Sequence, residues 1–362
     1  MIRVLHVVHT MDCGGIETML MNVYRNIDRK QIQFDFLVNG KKDNFYTKEI
    51  LSLGGNVLNV TPKRVNLLKN IKDTIAVMKK GDYDIVHIHQ DSMIGFGVWC
   101  AKKAKIKKIF VHAHTTSADG WYRRVLAVIN RSYINKNATV KFACSNAAAK
   151  WIYGKKCKDF ILFNNSIDAL KYRFDKNNSL DNRKKMNIKE NTFVIGTCGR
   201  LAEVKNQKFL LEVFSEIKKK NQNSKCILVG DGEKREELIN YSKELGIYED
   251  VIITGIVDNP EYYYSVFDCF VLPSLYEGLP LSGIEAQAAG IPAFFSTGVS
   301  KEVDITGKSI FISIDESPKV WANNILNSKT IKKDNYNYVV KKGYDMKTNV
   351  KLIEDYYIGR KV

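Results

Sequence analysis

The run Phe193-Val194-Ile195-Gly196-Thr197-Cys198-Gly199-Arg200-Leu201-Ala202-Glu203-Val204-Lys205-Asn206 decides the architecture of this chain. Its apolar opening reads as a strand over residues 193–197, and Gly199 turns the chain toward a helix. Short buried strands alternating with helical patterns form parallel sheets covered by helices on both faces. The same alternation fills the first half, with strands expected at residues 3–8, 34–38, 56–60, 85–89, 108–113, 140–143 and 159–163. A polar, Asn-rich stretch over residues 171–190 interrupts it, and residue 193 restarts it. Further strands are expected at 225–229, 251–254, 269–272, 293–295 and 310–312. The restart implies an α/β protein of two doubly wound parallel-sheet domains with a cleft between them. The boundaries read 1–165 and 166–345, followed by a tail, 346–362. Val350, Ile353, Tyr356 and Tyr357 give that tail helical spacing, and it is expected to pack back across the domains.

Open parallel sheets bind ligands at the carboxyl ends of their strands. Arg200 and Lys205 stand there, one directly after a strand and the other near the next helix start. A guanidinium fork and a point-charge amine so placed can clamp a diphosphate, although such side chains are more often plain surface charges. Gly230, in Leu228-Val229-Gly230-Asp231-Gly232-Glu233, can let a ligand close in, while Gly232 reads as a turn residue. Gly255-Ile256 holds the comparable place one strand on, where backbone could bond a base edge. In the first half, Cys13-Gly14-Gly15 follows the first strand and opens a helix. Its amides could approach an oxyanion, or the pair could be an ordinary tight turn. The spacing G-x-G-x-x-G is absent, which disfavours a nicotinamide site.

The 362 residues suit two domains of ordinary size. No apolar run reaches the roughly 18–20 residues of a membrane span, and the first strand is too short and wrongly flanked to be a signal peptide. Seven cysteines without metal spacing fit reduced thiols in a cytoplasmic protein. Charge is uneven: residues 1–165 hold 27 Lys/Arg against 12 Asp/Glu, and residues 166–362 hold 29 against 27. Lys102, Lys103, Lys105, Lys107 and Lys108 form the densest basic run. No recognisable nucleic-acid module accompanies it, so anionic lipid headgroups or a lipid-pyrophosphate acceptor fit this half better. Trp121-Tyr122-Arg123-Arg124-Val125-Leu126-Ala127-Val128-Ile129 reads either as a core helix with a basic edge or as an interfacial patch on anionic lipid. His87/His89 and His112/His114 form i, i+2 pairs at strand ends. No carboxylate or cysteine completes a familiar metal set, so no metal is expected. His87 and His112 are read as buried and hydrogen-bonded, and His114, opening the polar segment 115–120, as the better ligand contact.

Ser274-Leu275-Tyr276-Glu277-Gly278-Leu279-Pro280-Leu281-Ser282-Gly283-Ile284-Glu285 names a chemistry as well as a fold. Two carboxylates flank a Gly/Pro turn that should end in a helix, with the helix's free N–H groups beside both. Such an end can hold a phosphate while the carboxylates accept from hydroxyls. A ligand carrying both groups is a nucleotide-sugar.

With Gly14-Gly15-Ile16-Glu17-Thr18, Gly199-Arg200-Leu201, Lys205-Asn206 and Glu277…Glu285 in order, nearly the whole chain resembles the family 4 retaining glycosyltransferases. The likeness is to their bacterial exopolysaccharide and capsule members. That resemblance implies the GT-B fold of two facing Rossmann-like halves, the first taking the acceptor and the second the nucleotide-sugar, without metal or other cofactor. It implies His114, Arg200, Lys205 and Glu277 as catalytic residues. Gly14, Gly15, Gly230, Ile256, Gly278, Leu279, Pro280, Leu281, Ser282 and Glu285 would bind the donor, Glu285 through the ribose hydroxyls. A uridine donor is expected, with guanosine the alternative, and the acceptor would be a glycan or a polyprenyl-pyrophosphate-linked glycan. Nucleic acid is not an expected partner. The protein would be cytoplasmic and peripheral on the inner face of the plasma membrane. Asn165-Ser166-Ile167-Asp168 resembles the family's domain junction, with Ser where many members have Gly, and Ser282-Gly283 stands where apolar residues are common. Nucleotide-sugar 2-epimerases share this fold, and a non-catalytic nucleotide-sugar-binding subunit is the other alternative.

Overall fold

The computed structural model describes the chain apart from residues 13, 41–42, 91–92, 116–120, 329–331 and 362, and apart from the side chains of residues 121–124, 126 and 127. It divides into two compact units, Met1–Ser166 with Met346–Val362, and Ile167–Asp345.

Unit 1 is built on seven strands: β1 (Ile2–Val7), β2 (Ile32–Asn39), β3 (Asn56–Val60), β4 (Ile85–Ile88), β5 (Lys108–Ala113), β6 (Val140–Ala143) and β7 (Ile161–Leu162). They lie in the order β3-β2-β1-β4-β5-β6-β7, and every pairing is parallel. Unit 2 has six: β8 (Phe193–Cys198), β9 (Ser224–Val229), β10 (Val251–Ile253), β11 (Cys269–Leu272), β12 (Ala293–Ser296) and β13 (Ile310–Ile312). Their order is β10-β9-β8-β11-β12-β13, again all parallel. All thirteen expected strands form, the seventh shrunk to two residues. Their runs are apolar on both faces because helices cover both, and Val4, Leu5, Ile195, Ile227, Phe270 and Val271 are fully buried.

The polar stretch 171–190 holds a helix, Lys176–Lys185, where the sequence suggested only a linker. Apolar periodicity is missing because polar groups anchor this helix. Asp175 caps it by accepting from the Asn178 amide, and buried Arg183 donates to the carbonyls of Glu190, Thr192 and Val266 and to Asp268. The tail forms a helix, Met346–Tyr357, that joins unit 1 and buries Met346, Val350, Ile353 and Tyr357. Tyr357 stacks on Phe110 and lies edge-on to Phe34. In both sheets the strand order reverses once, between β1 and β4 and between β8 and β11. Chain leaving the two central strands diverges there and opens a crevice at their carboxyl ends.

Candidate functional site

In unit 2 this crevice has a glycine floor. Gly199 leaves β8 with φ +148, and Gly230 leaves β9 with φ +135, values that side chains rarely adopt. A Cβ on Gly230 would fall on the Gly199 carbonyl oxygen, and one on Gly232 on the Leu201 carbonyl oxygen. These glycines let strand ends close on each other: the Gly199 amide donates to Val229 O and the Leu201 amide to Asp231 O. Space at Gly230 is therefore taken by the chain's own carbonyl, and Gly232 does more than permit a turn. Gly230 also bridges Gly255, and Ile256 beside it is 87% exposed.

Lys205 and Glu277, 72 positions apart, meet here. Lys205 ends a short 3-10 helix after β8, and its Nζ pairs with Glu277 Oε1 with both side chains mostly covered. Backbone holds the two segments in register. Leu275 N donates to Val204 O, Glu277 N to Gly298 O, and Ser300 N to Glu277 O. Ser274 Oγ lies 3.4 Å from Glu277 Oε1. Arg200 is 73% exposed and pairs with Glu233 at 3.0 Å. An ion pair in that setting is worth little, so the guanidinium stays available to a ligand.

The helix Leu281–Ala288 begins at Pro280, which has no side-chain cap to offer and no N–H. Gly283 N turns back to Pro280 O, whereas the amides of Gly278, Leu279, Leu281 and Ser282 meet no protein acceptor among the described residues. A helix end with free donors and positive dipole is a ready anion site. Nothing lies within 4 Å of a Cβ built on Gly278, so the approach is open. Gly283 serves packing instead. A Cβ there would meet Val303 Cγ2 at 2.6 Å and the Phe295 ring at 2.9 Å, so small size is required and no sugar pocket is implied.

Glu285 lies in the second turn of this helix, with its Oε2 accepting from Tyr264 Oη at 2.8 Å; the same hydroxyl lies 3.2 Å from Ser282 O in the first turn. Burial raises its pKa, while hydrogen bonds from Tyr264 and Tyr172 oppose that rise. Burial, reinforced by the Glu285 charge, also pushes the neighbouring Cys198 thiol up to about 12. Tyr172, Tyr264, Ser274 and Glu233 were not singled out from the sequence. Each is an ordinary residue locally and gains its role from a partner 3 to 113 positions away.

In unit 1, Gly14 and Gly15 start the helix Gly15–Asn26 with φ values open to any residue. A Cβ on Gly14 would meet the Glu17 carboxylate, and one on Gly15 would meet nothing within 4 Å. Thr10 Oγ1 lies 3.4 Å from Glu17 Oε1, and burial raises the Glu17 pKa. A carboxylate of the chain thus holds the place expected for an oxyanion at Gly14. Cys13 and most of the polar segment after His114 lie outside the described residues.

Five histidines gather at the β1–β4–β5 ladder. His6 registers opposite His87, and the rings of His87/His89 and His112/His114 lie 4.3 and 4.1 Å apart. His6, His87, His89 and His112 are buried and His114 is half-buried. Burial drives all five pKa values down, His6 and His114 to about 3, so the imidazoles are neutral. His87 Nδ1 bonds Tyr357 Oη at 2.8 Å, as expected of a buried histidine. His112 is buried as expected, and a backbone contact at Phe163 opposes the fall in its pKa, although neither ring nitrogen makes a hydrogen bond of good geometry among the described residues. Ring nitrogens of His6, His87 and His89, and of His89, His112 and His114, lie within 4.8 Å of one another. Imidazole alone can ligate a transition metal, and the sequence, read strand by strand, did not show that His6 joins the two pairs.

Comparison with known proteins follows the same division. Residues 13–160 match the family model described as glycosyltransferase family 4, and residues 178–346 match that described as glycosyl transferases group 1. The chain is 31% identical to the glycosyltransferase named EpsF of Bacillus subtilis, over 98% of this chain and 96% of that one. It is 26% identical to an Escherichia coli UDP-Gal:alpha-D-GlcNAc-diphosphoundecaprenol alpha-1,3-galactosyltransferase, over 82% and 81%. Among solved structures, Anabaena HepE in complex with UDP superposes with a TM-score of 0.78 at 16% identity, covering 99% of this chain and all of that one.

Proposed function

Because the chain belongs to the family 4 glycosyltransferases of GT-B fold that act in bacterial polysaccharide synthesis, we propose that it moves a sugar from a UDP-sugar to a lipid-linked glycan with retention at the anomeric carbon. One observation carries the proposal. The uncapped start of the helix Leu281–Ala288 stands at the β8/β11 reversal, with Lys205, Glu277 and Arg200 at the same strand ends. HepE binds UDP, and the E. coli relative is named for a UDP-galactose donor and a diphosphoundecaprenol-linked acceptor, which supports the choice of both substrates here.

In this reading the bond from the anomeric carbon to the pyrophosphate oxygen breaks, and positive charge grows on the sugar while negative charge grows on the leaving diphosphate. Lys205, Arg200 and the amides of Gly278, Leu279, Leu281 and Ser282 stabilise that negative charge where it develops. These fixed positive groups do the work a metal would otherwise do. The acceptor oxygen bonds to the same face of the anomeric carbon, and its proton passes to the departing phosphate oxygen. Glu277 lies at the donor sugar, and Glu285, held by hydrogen bonds from Tyr172 and Tyr264, accepts from the ribose hydroxyls. His114 touches the sugar. Calorimetry of UDP with the wild type and Glu285→Ala tests the assignment. Loss of a hydrogen bond to a charged acceptor should weaken UDP about 10- to 100-fold. Equal affinity in the two proteins would remove Glu285 from the site.

Unit 1 supplies the acceptor side in this proposal, on the membrane. Lys102, Lys103, Lys105, Lys107 and Lys108 are all exposed, and so are Val125, Val128 and Ile129 along the helix Trp121–Asn137. Among the described residues no helix is long and apolar enough to cross a membrane, so docking rests on surface charge and these side chains. Co-sedimentation with vesicles of one-third anionic lipid should exceed that with neutral vesicles at low salt and fade as salt rises. Equal binding to both would end the docking idea.

A further inference from the structure

The histidines of unit 1 form a directed chain. His6 Nδ1 lies 3.1 Å from His89 Nε2, and His89 Nδ1 lies 2.9 Å from His114 Nε2. A neutral imidazole carries one N–H and one bare nitrogen. His89 therefore donates from one nitrogen and accepts at the other, and both contacts must run in the same direction.

The far end sets that direction. His6 Nε2 is buried and has no hydrogen-bond partner. Run inward, the chain would leave His6 with a buried, unpaired N–H. Run outward, it leaves only a bare acceptor, and orphaned buried donors are the rarer case. The outward end has no such constraint, because His114 Nδ1 meets no protein partner among the described residues and is absent from the orphaned buried atoms. Ring stacking of His112 on His114 at 4.1 Å holds the plane of the terminal imidazole.

We infer that His6 and His89 are positioning residues which, by donating in series from Nδ1, fix His114 as an Nδ1–H donor to an oxygen of a hydroxyl-rich ligand. The tautomer stands on the ring contacts and on the neutrality that burial imposes; that the oxygen belongs to a sugar rests on the function proposed above. His114 then acts by hydrogen bonding and carries no proton to the reaction. Nitrogens already engaged with each other are also withheld from a metal.

Two-bond 1H–15N correlation spectra of the 15N-labelled full chain at pH 7.5 test this directly, with His89→Asn and His114→Asn supplying assignments. Expected are Nδ1–H tautomers for both His89 and His114. An Nε2–H tautomer at His114 would overturn the inference, as would an imidazolium there or visible ligand-field bands on adding cobalt(II). A kinetic arm separates positioning from mere packing. Asparagine at 89 keeps an N–H where Nδ1 stood, so His89→Asn should hold kcat within about threefold of wild type, while His89→Leu should lower it about tenfold or more. Equal loss in both variants counts against the chain. If no donor is turned over while the spectra match, the transferase reading fails and the tautomer assignment survives.

Discussion

Replacing Lys205 with alanine is expected to slow sugar transfer about 10^3-fold, mainly through kcat. The amine comes from the 3-10 helix after β8 and meets Glu277 from the loop after β11, so it sits where both central strands deliver their ends. A fixed cation aimed at a developing oxyanion is worth about 3–4 kcal/mol in such a site. The same pair contributes little to folding. Although mostly covered, both side chains keep contact with solvent, and loss of the pair should move the melting temperature by no more than about 3 °C. That contrast makes the variant informative. Single-turnover rates alongside a thermal melt check it, and a near-normal rate in a folded variant would take Lys205 out of the chemistry.

Mild acid should unfold unit 1 ahead of unit 2. All six histidines lie within residues 1–166, and none lies in Ile167–Asp345. Five of them are held neutral by burial, with folded pKa values well below the ordinary 6.5. The unfolded chain therefore binds more protons as pH falls through 6.5, and stability present above that pH is lost below it. Between pH 7.5 and 5.5 each neutral imidazole costs about 1.4 kcal/mol, and five cost about 7 kcal/mol. Glu17 and Glu285 have raised pKa values and act in the opposite sense, but only Glu17 belongs to unit 1. Urea unfolding at the two pH values, followed by circular dichroism, should show one early transition at pH 5.5 of about half the amplitude. Superimposable curves would mean that the histidines ionise in the folded state.

What the sequence made legible and what it hid divide along physical lines. Strands buried on both faces announce themselves as short apolar runs, and all thirteen were readable. The helix Lys176–Lys185 was not, because Arg183 and Asp175 hold it by polar contacts that leave no periodic signature. The placement of Arg200, Lys205, Glu277 and the helix start after Pro280 at strand ends was legible because strand-end position is a local property. Glu233, the partner of Arg200, and Tyr172 and Tyr264, which meet Glu285, were hidden, since nothing local marks a side chain that will meet a distant partner. Gly230 and Gly232 were recognisable as an approach glycine and a turn glycine, whereas Gly283 stood out only as a departure from an apolar position. What each makes room for (Gly199, Leu201, Val303) comes from another strand end or turn and depends on register. The histidine chain was half visible, as two pairs on adjacent strands, until parallel pairing set His6 beside them.

The helix Met346–Tyr357 places a late segment in an early core. Tyr357 fills space among Phe34, Phe110 and His87, which are made some 250 to 320 residues before it. During synthesis the amino-terminal unit must wait, its sheet partly bare, until that last helix has left the ribosome. The second unit, translated later, contains all of its own core and can close first. Order of translation and order of completion are thus opposite in this chain, and the nascent amino-terminal half spends the longest time exposed to chaperones and proteases.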